Sequence, residues 1–231
     1  MEDRSSFLRT LDRTIEEWAL LKHPFYQSWN AGTLARGTLK HYACQYYHFV
    51  KHFPRFLSAT HMNTPDIRIR QEILMNLMDE EYGTENHPAL WYRFAEATGA
   101  SAEDIAKAEP LPETLALVNT FFSTCRNRPF VDGLGALYAY ESQVPEISRV
   151  KISGLRRYYG IADPDALRFF TVHMEADVEH SRTERQIIEG SARSFVQQEG
   201  VVKAAEVVAR ALWRFLDGIT ESCTKPESAY A

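Results

Sequence analysis

The chain has 231 residues, 45% of them apolar and 12% aromatic, which suits one large folded domain and excludes a disordered chain. A net charge of -5 with no basic cluster disfavours nucleic-acid binding. Three widely spaced cysteines, Cys44, Cys125 and Cys223, argue against a disulfide framework or a cysteine zinc site and fit a reducing compartment.

The start, Met1–Glu2–Asp3–Arg4, is charged and lacks the apolar core of a signal peptide. No uncharged apolar run approaches the ~18–20 residues needed to span a bilayer. The expectation is a cytoplasmic protein without membrane partners. Ser5 or Ser6 is placed to cap a first helix to about Leu21. Pro24 suits the first turn of a short helix carrying Phe25, Tyr26 and Trp29. Between Gly32 and Gly37 lies a turn, and a long aromatic helix from Thr38 to His61 follows, kinked at Pro54. Its rings serve a core or a homodimer interface equally well. Asp66 caps the next helix, which Gly83 weakens or ends, and Asn86 caps the segment through Trp91 to near Gly99. Ser101–Asp104 reads as a capping box, and Pro112 opens the helix of Leu117 and Phe121. Asp132 caps a long apolar helix through Glu141 with Pro145 inside it. A helix centred on His173–His180 and a last one from about Val201 to Leu216 complete the chain. Strand-like alternation is nearly absent, so the fold class is all-α: one helical domain over 1–220 and a tail over 221–231.

The stripe His173–Met174–Glu175–Ala176–Asp177–Val178–Glu179–His180 carries the chemistry. At about 100° per residue, Asp177 lies roughly 40° from His173 and His180 about 20° to its other side, so the three share a face. Glu175 and Glu179 fall at roughly 200° and 240°, on the side expected to meet solvent. Further carboxylates come from two segments. If the helix before Gly83 continues to His87, Glu80 lies about 20° from His87 and is its natural partner; otherwise the segment is a solvated acidic helix end. Glu141 is the only charge after Asp132 on a very apolar helix and must be paired, metal-bound or strongly perturbed. Arg149, Lys151 or Arg156 are its available structural partners. Together Glu80, His87, Glu141, His173, Asp177 and His180 suffice for two divalent metals with open positions.

At these residues the chain resembles the haem-oxygenase-like bundle proteins grouped with thiaminase-2 (TenA) and pyrroloquinoline-quinone synthase (PqqC), above all their CADD-like branch. The resemblance rests on His23–Pro24–Phe25–Tyr26, Asn76–Leu77–Met78–Asp79–Glu80–Glu81 with Asn86–His87, Ala136 to Gln143, and His173 to His180. It implies a compact seven-helix bundle whose six residues named above hold two metal ions, iron or a manganese/iron pair, using O₂ and a reductant. It further implies a role in making para-aminobenzoate, with Tyr26 of the chain itself as ring source, Lys151 as amino donor and Tyr140 as an electron or radical relay. One departure stands out: Phe169 occupies a place where some relatives have a tyrosine. Rival readings are a thiaminase-2-like hydrolase, which needs a cysteine shortly before the active-site glutamate, a cofactorless oxidase of the quinone-synthase type, and a protein-interaction module. Cys125 lies well upstream of Glu141, and no cysteine occurs between them.

Overall fold

The structure is a computed structural model that describes the backbone of residues 2–224 and the side chains of residues 6–224. Among the described residues twelve α-helices follow one another: α1 (Glu2–Glu17), α2 (Pro24–Ala31), α3 (Arg36–Val50), α4 (Phe53–Asn63), α5 (Ile67–Glu81), α6 (His87–Ala97), α7 (Ala102–Lys107), α8 (Pro112–Asn127), α9 (Phe130–Glu141), α10 (Val144–Gly154), α11 (Arg168–Ser191) and α12 (Phe195–Thr224). A 3-10 turn (Leu20–Lys22) precedes α2, and a π turn (Leu155–Tyr159) continues α10. The described residues contain no strand. The seven helices expected are thus too few.

The difference comes from proline and from helix ends. The long helix expected over Thr38–His61 divides at Lys51 and His52, because Pro54 sits in the first turn of α4 and has no N–H to continue the α3 ladder. Pro145 likewise opens α10 rather than kinking α9, since it cannot donate to the carbonyl of Glu141. Asp132 is not a cap; it lies inside the first turn of α9 and pairs with Arg128 at 3.0 Å. Ser5 and Ser6 lie within α1, and the Ser5 side chain falls outside the described residues. α12 begins earlier and ends later than expected, so 221–224 of the expected tail form its last turn. The rest of that tail lies outside the described residues.

Other boundaries follow local chemistry. Asp66 accepts from the Arg68 N–H at 2.8 Å and starts α5, Asn86 accepts from Ala89 N–H at 3.0 Å and starts α6, and Ser101 with Asp104 forms a full capping box.

α9 is the axis of the molecule. Every residue from Val131 to Glu141 is buried, as an apolar sequence on all faces requires. α12, α11, α8 and α4 pack around it. Gly135 lets α12 approach closely: a Cβ there would lie 2.8 Å from Val201 Cγ1 and 3.0 Å from its carbonyl oxygen. Aromatic rings fill the space beside α9, with Phe49 5.1 Å from Tyr140 and Phe121 5.1 Å from Phe49 between centroids. This packing carries one carboxylate, Glu141, into the centre at 0% exposure, and Glu80 of α5, His87 of α6 and His173 and Asp177 of α11 are buried as well. No helix among the described residues is long and apolar enough to cross a membrane.

Candidate metal centre

Two groups of potential ligands lie inside the bundle. In the first, ligand atoms of Glu80, His87 and His173 are all within 4.8 Å of one another. In the second, the same holds for Glu141, Asp177 and His180. Five of the six are at most 4% exposed, and only His180 reaches partly outward.

The local structure explains how they meet. α11 is continuous, so His173, Asp177 and His180 share one face as the periodicity requires. Glu80 and His87 come together by another route than helix continuity. α5 ends at Glu81, Gly83 adopts φ 78°, and Asn86 starts α6 at His87. The turn folds the chain back, and His87 Nδ1 lies 2.7 Å from Glu80 Oε2. The partner expected for Glu80 is correct, while the reason is a reversal between two helices. Glu141 does not pair with the basic residues that follow it. Arg149 pairs with Glu146, Lys151 donates to Tyr42, and Arg156 is exposed. Asn76 donates to Glu141 Oε1 at 2.9 Å instead.

The electrostatics are those of a strained set of acids. Burial, with Glu141 and Glu80 nearby, pushes Asp177 up to about 7, although His180 pulls it the other way. Burial also raises Glu141. For His87, burial opposes the charge, but Glu80 outweighs it and the pKa rises. His180 is likewise penalised by burial, yet Asp177, Glu141 and Asp79 carry it up to about 9. His173 is held well below the ordinary histidine range by burial and by the neighbouring His87, whose ring centroid is 4.2 Å away. A carbonyl only accepts, so the 2.6 Å contact of His173 Nδ1 with the Phe169 carbonyl fixes the proton on Nδ1 and leaves Nε2 as a free lone pair.

A test of fit for metal is the state of the buried oxygens. Neither Asp177 oxygen meets a hydrogen-bond donor, nor does Glu141 Oε2. The His180 Nδ1 contact with Asp177 Oδ1, at 3.4 Å, is long for a hydrogen bond. Buried carboxylates without donors are costly, and divalent cations relieve that cost. Imidazole and carboxylate together, with none of the three cysteines in either group, suit iron, manganese or zinc. The donor set fits such ions.

Beside the groups runs a line of phenols. Tyr140 and Tyr46 hydroxyls are 2.7 Å apart, the Tyr46 and Tyr42 rings stack at 5.4 Å, and the Tyr42 and Tyr26 hydroxyls are 3.2 Å apart. Lys151 Nζ donates to the Tyr42 hydroxyl at 2.7 Å and lies 5.3 Å from the centroid of the Tyr26 ring. Tyr26, Tyr46, Tyr140, Lys151, Phe169 and Phe170 help line one cavity of about 20 Å³. Burial alone brings Lys151 down to about 7. Burial raises all four phenols, so they stay protonated at neutral pH. Phe169 packs on His173 with centroids 4.1 Å apart, so no phenol stands at that place.

Glu175 and Glu179 are exposed, as the periodicity requires. The sequence reading missed Glu184. It stands eleven residues after His173, roughly 20° off the same face, and is 4% exposed in contact with Glu141. Extending the stripe by one more turn would have found it. Tyr42 and Tyr46 were legible only as part of an aromatic run. Cys125 is fully buried, its thiol pushed up to about 12, which suits packing and not nucleophilic attack.

The family model described as an iron-containing redox enzyme matches residues 40–213. The chain is 49% identical to a 4-aminobenzoate synthase of Nitrosomonas europaea, over 94% of this chain and 92% of that protein. It is 41% identical to a 4-aminobenzoate synthase of Chlamydia muridarum, over 95% and 92% respectively. Among solved structures, a TenA homologue from Pseudomonas syringae pv. tomato superimposes with a TM-score of 0.81 at 18% identity, covering 94% of this chain and 92% of that one.

Proposed function

The chain belongs to the haem-oxygenase-like family of iron-containing redox enzymes, and from that premise we propose that it is an O₂-dependent di-metal oxidase that forms 4-aminobenzoate, with the ring taken from its own Tyr26. The observation that carries this reading is the junction of two ligand groups with a line of phenols that ends at Tyr26 and a buried lysine. Glu80, His87 and His173 would hold one ion, and Glu141, Asp177 and His180 the other. Iron, alone or beside manganese, supplies a one-electron couple and open positions for O₂, with electrons completed by an external reductant.

The protein's own residues do the rest. The phenols are buried and protonated, so an electron leaves them together with a proton. The Tyr26 proton can pass through the Tyr42 hydroxyl, 3.2 Å away, to the Lys151 amine 2.7 Å beyond it when that amine is neutral, while the Tyr140 and Tyr46 hydroxyls share a hydrogen bond of 2.7 Å. Phe169, Phe170 and Phe215 keep water away from that line. Lys151, near 7, is largely neutral at slightly alkaline pH and then carries a nucleophilic lone pair toward the Tyr26 ring, as an amino donor must. A thiaminase-like reaction lacks its nucleophile here, since Cys125 is buried and on α8. A metal-free oxidase has no use for six converging acid and imidazole groups.

The test is to purify the protein without oxygen, add Fe²⁺ with or without Mn²⁺, admit O₂ and a reductant, and analyse both product and protein by mass spectrometry. The expected outcome is 4-aminobenzoate together with a mass loss localised to the peptide containing Tyr26. Product formation by Tyr26→Phe would rule out the self-derived ring.

A further inference from the structure

A cavity of about 300 Å³ opens between α5 and α11. At about 30 Å³ per liquid water, that holds a divalent ion with several of its waters. Glu72 and Glu179 stand exposed at its mouth, together with Asp79, whose side chain is 54% exposed. Arg182 stands 3.5 Å from Glu179 and His180 3.0 Å from Asp79, so the three carboxylates leave the opening with a small net negative charge, which favours cations there. The floor holds Asn76, His180 and Glu184.

Glu184 is the unusual member. It is 4% exposed, lines the cavity, and no hydrogen-bond donor reaches either of its oxygens. Its nearest polar neighbour is Glu141, another acid. Two carboxyl groups facing one another in the interior can satisfy each other only by sharing a proton, and a cation that displaces that proton serves both at once. Glu184 is not among the groups whose ligand atoms all fall within 4.8 Å, so it stands outside the inner position. His180 links the two levels: Nε2 is 3.0 Å from Asp79 Oδ2 on the mouth side, and Nδ1 is 3.4 Å from Asp177 Oδ1 inside.

We propose that this cavity is a loading site for divalent cations, with Glu184 as the inner carboxylate that receives the ion from the Glu72–Asp79–Glu179 mouth and passes it to the Glu141–Asp177–His180 position. The inference rests on the reading of the two groups as metal positions. It assigns Glu184 to the rate of filling rather than to the filled state. The carboxylates of the lining are hard oxygen ligands that suit Mn²⁺ and Fe²⁺, and no thiolate is present to hold them permanently.

Uptake of Mn²⁺ by the metal-free full chain, without oxygen, tests this directly. The aqueous Mn²⁺ electron paramagnetic resonance signal disappears on binding and gives the rate, and elemental analysis gives the final content. Glu184→Gln should slow uptake at least about tenfold and still reach the wild-type content. Glu184→Asp should recover much of the rate. The double variant Glu72→Gln/Glu179→Gln, at two exposed positions where the fold loses at most the exposed Glu179–Arg182 pair, should slow uptake and flatten its salt dependence. Glu189→Gln, exposed on the same helix but outside the cavity, should load like wild type. Wild-type rates in both the Glu184→Gln and the mouth variants overturn the loading site. So does a Glu184→Gln protein that loses one ion at equilibrium, which would make Glu184 a permanent ligand. A wild-type chain that binds no Mn²⁺ or Fe²⁺ overturns the reading of the centre itself, a result distinct from the other two.

Discussion

Asp177 and Lys151 show what burial does to a single ionisable group. Asp177 has no donor on either oxygen, and Lys151 has one phenol partner and a wall of rings. Burial lowers Lys151 from 10.5 to about 7. Between those values the unfolded chain binds a proton that the folded chain does not, so stability rises with pH across that window, by up to about 1.4 kcal/mol per pH unit. Below pH 7 both states are protonated and the burial penalty is fully present. Lys151→Met removes this dependence. Denaturant unfolding of the metal-free proteins should show the variant's stability relative to wild type falling steadily from pH 7 to pH 9, and a constant difference would mean that the lysine titrates as an exposed one does. His173 gives a second test at this scale. With its proton fixed by the Phe169 carbonyl, Nε2 is a ligand-ready atom, and His173→Ala should retain one metal ion of two by elemental analysis. Retention of both would remove His173 from the set.

At the scale of elements, the site depends on helices that end at the right place. α5 must stop at Glu81 and α6 must start at His87 for Glu80 and His87 to face each other. Asn86 caps that start, so Asn86→Ala should lower stability by about 1 kcal/mol and weaken the first metal position selectively, read by metal titration. α9 places Glu141 by packing, and its contact with α12 leaves no room at Gly135. Gly135→Ala would push a methyl against the Val201 carbonyl and should cost about 1–3 kcal/mol, lowering the melting temperature by several degrees. An unchanged melting temperature would show that α12 shifts freely.

At the scale of the molecule, the bundle holds four buried acids near its centre, Glu80, Glu141, Asp177 and Glu184. Without a cation, burial and mutual repulsion disfavour their charged forms and push Glu141, Asp177 and Glu184 toward protonation, while Glu80 is held by His87. A bound ion reverses the sign, and by linkage it stabilises the native state by about 2.7 kcal/mol at a concentration one hundred times its dissociation constant. Adding Mn²⁺ to the chelator-treated protein should therefore raise its melting temperature in a concentration-dependent way, and excess chelator should reverse the gain. A melting temperature indifferent to Mn²⁺ and Fe²⁺ would contradict the metal reading.

The sequence by itself determined the helical class, most caps, and the shared face of His173, Asp177 and His180, because each is a local consequence of helical period or of one side chain meeting its own backbone. By the same period it contained Glu184, which reading one turn further would have placed on that face. It also marked Glu141 as anomalous, since a lone charge on an apolar helix needs a partner. Only the tertiary structure decided that partner, together with the split of six residues into two groups and the line from Tyr140 to Tyr26 and Lys151. Those depend on how α2, α3, α5, α6, α9, α10 and α11 cross. Crossings are set by packing between residues far apart in the chain, to which helical period is blind.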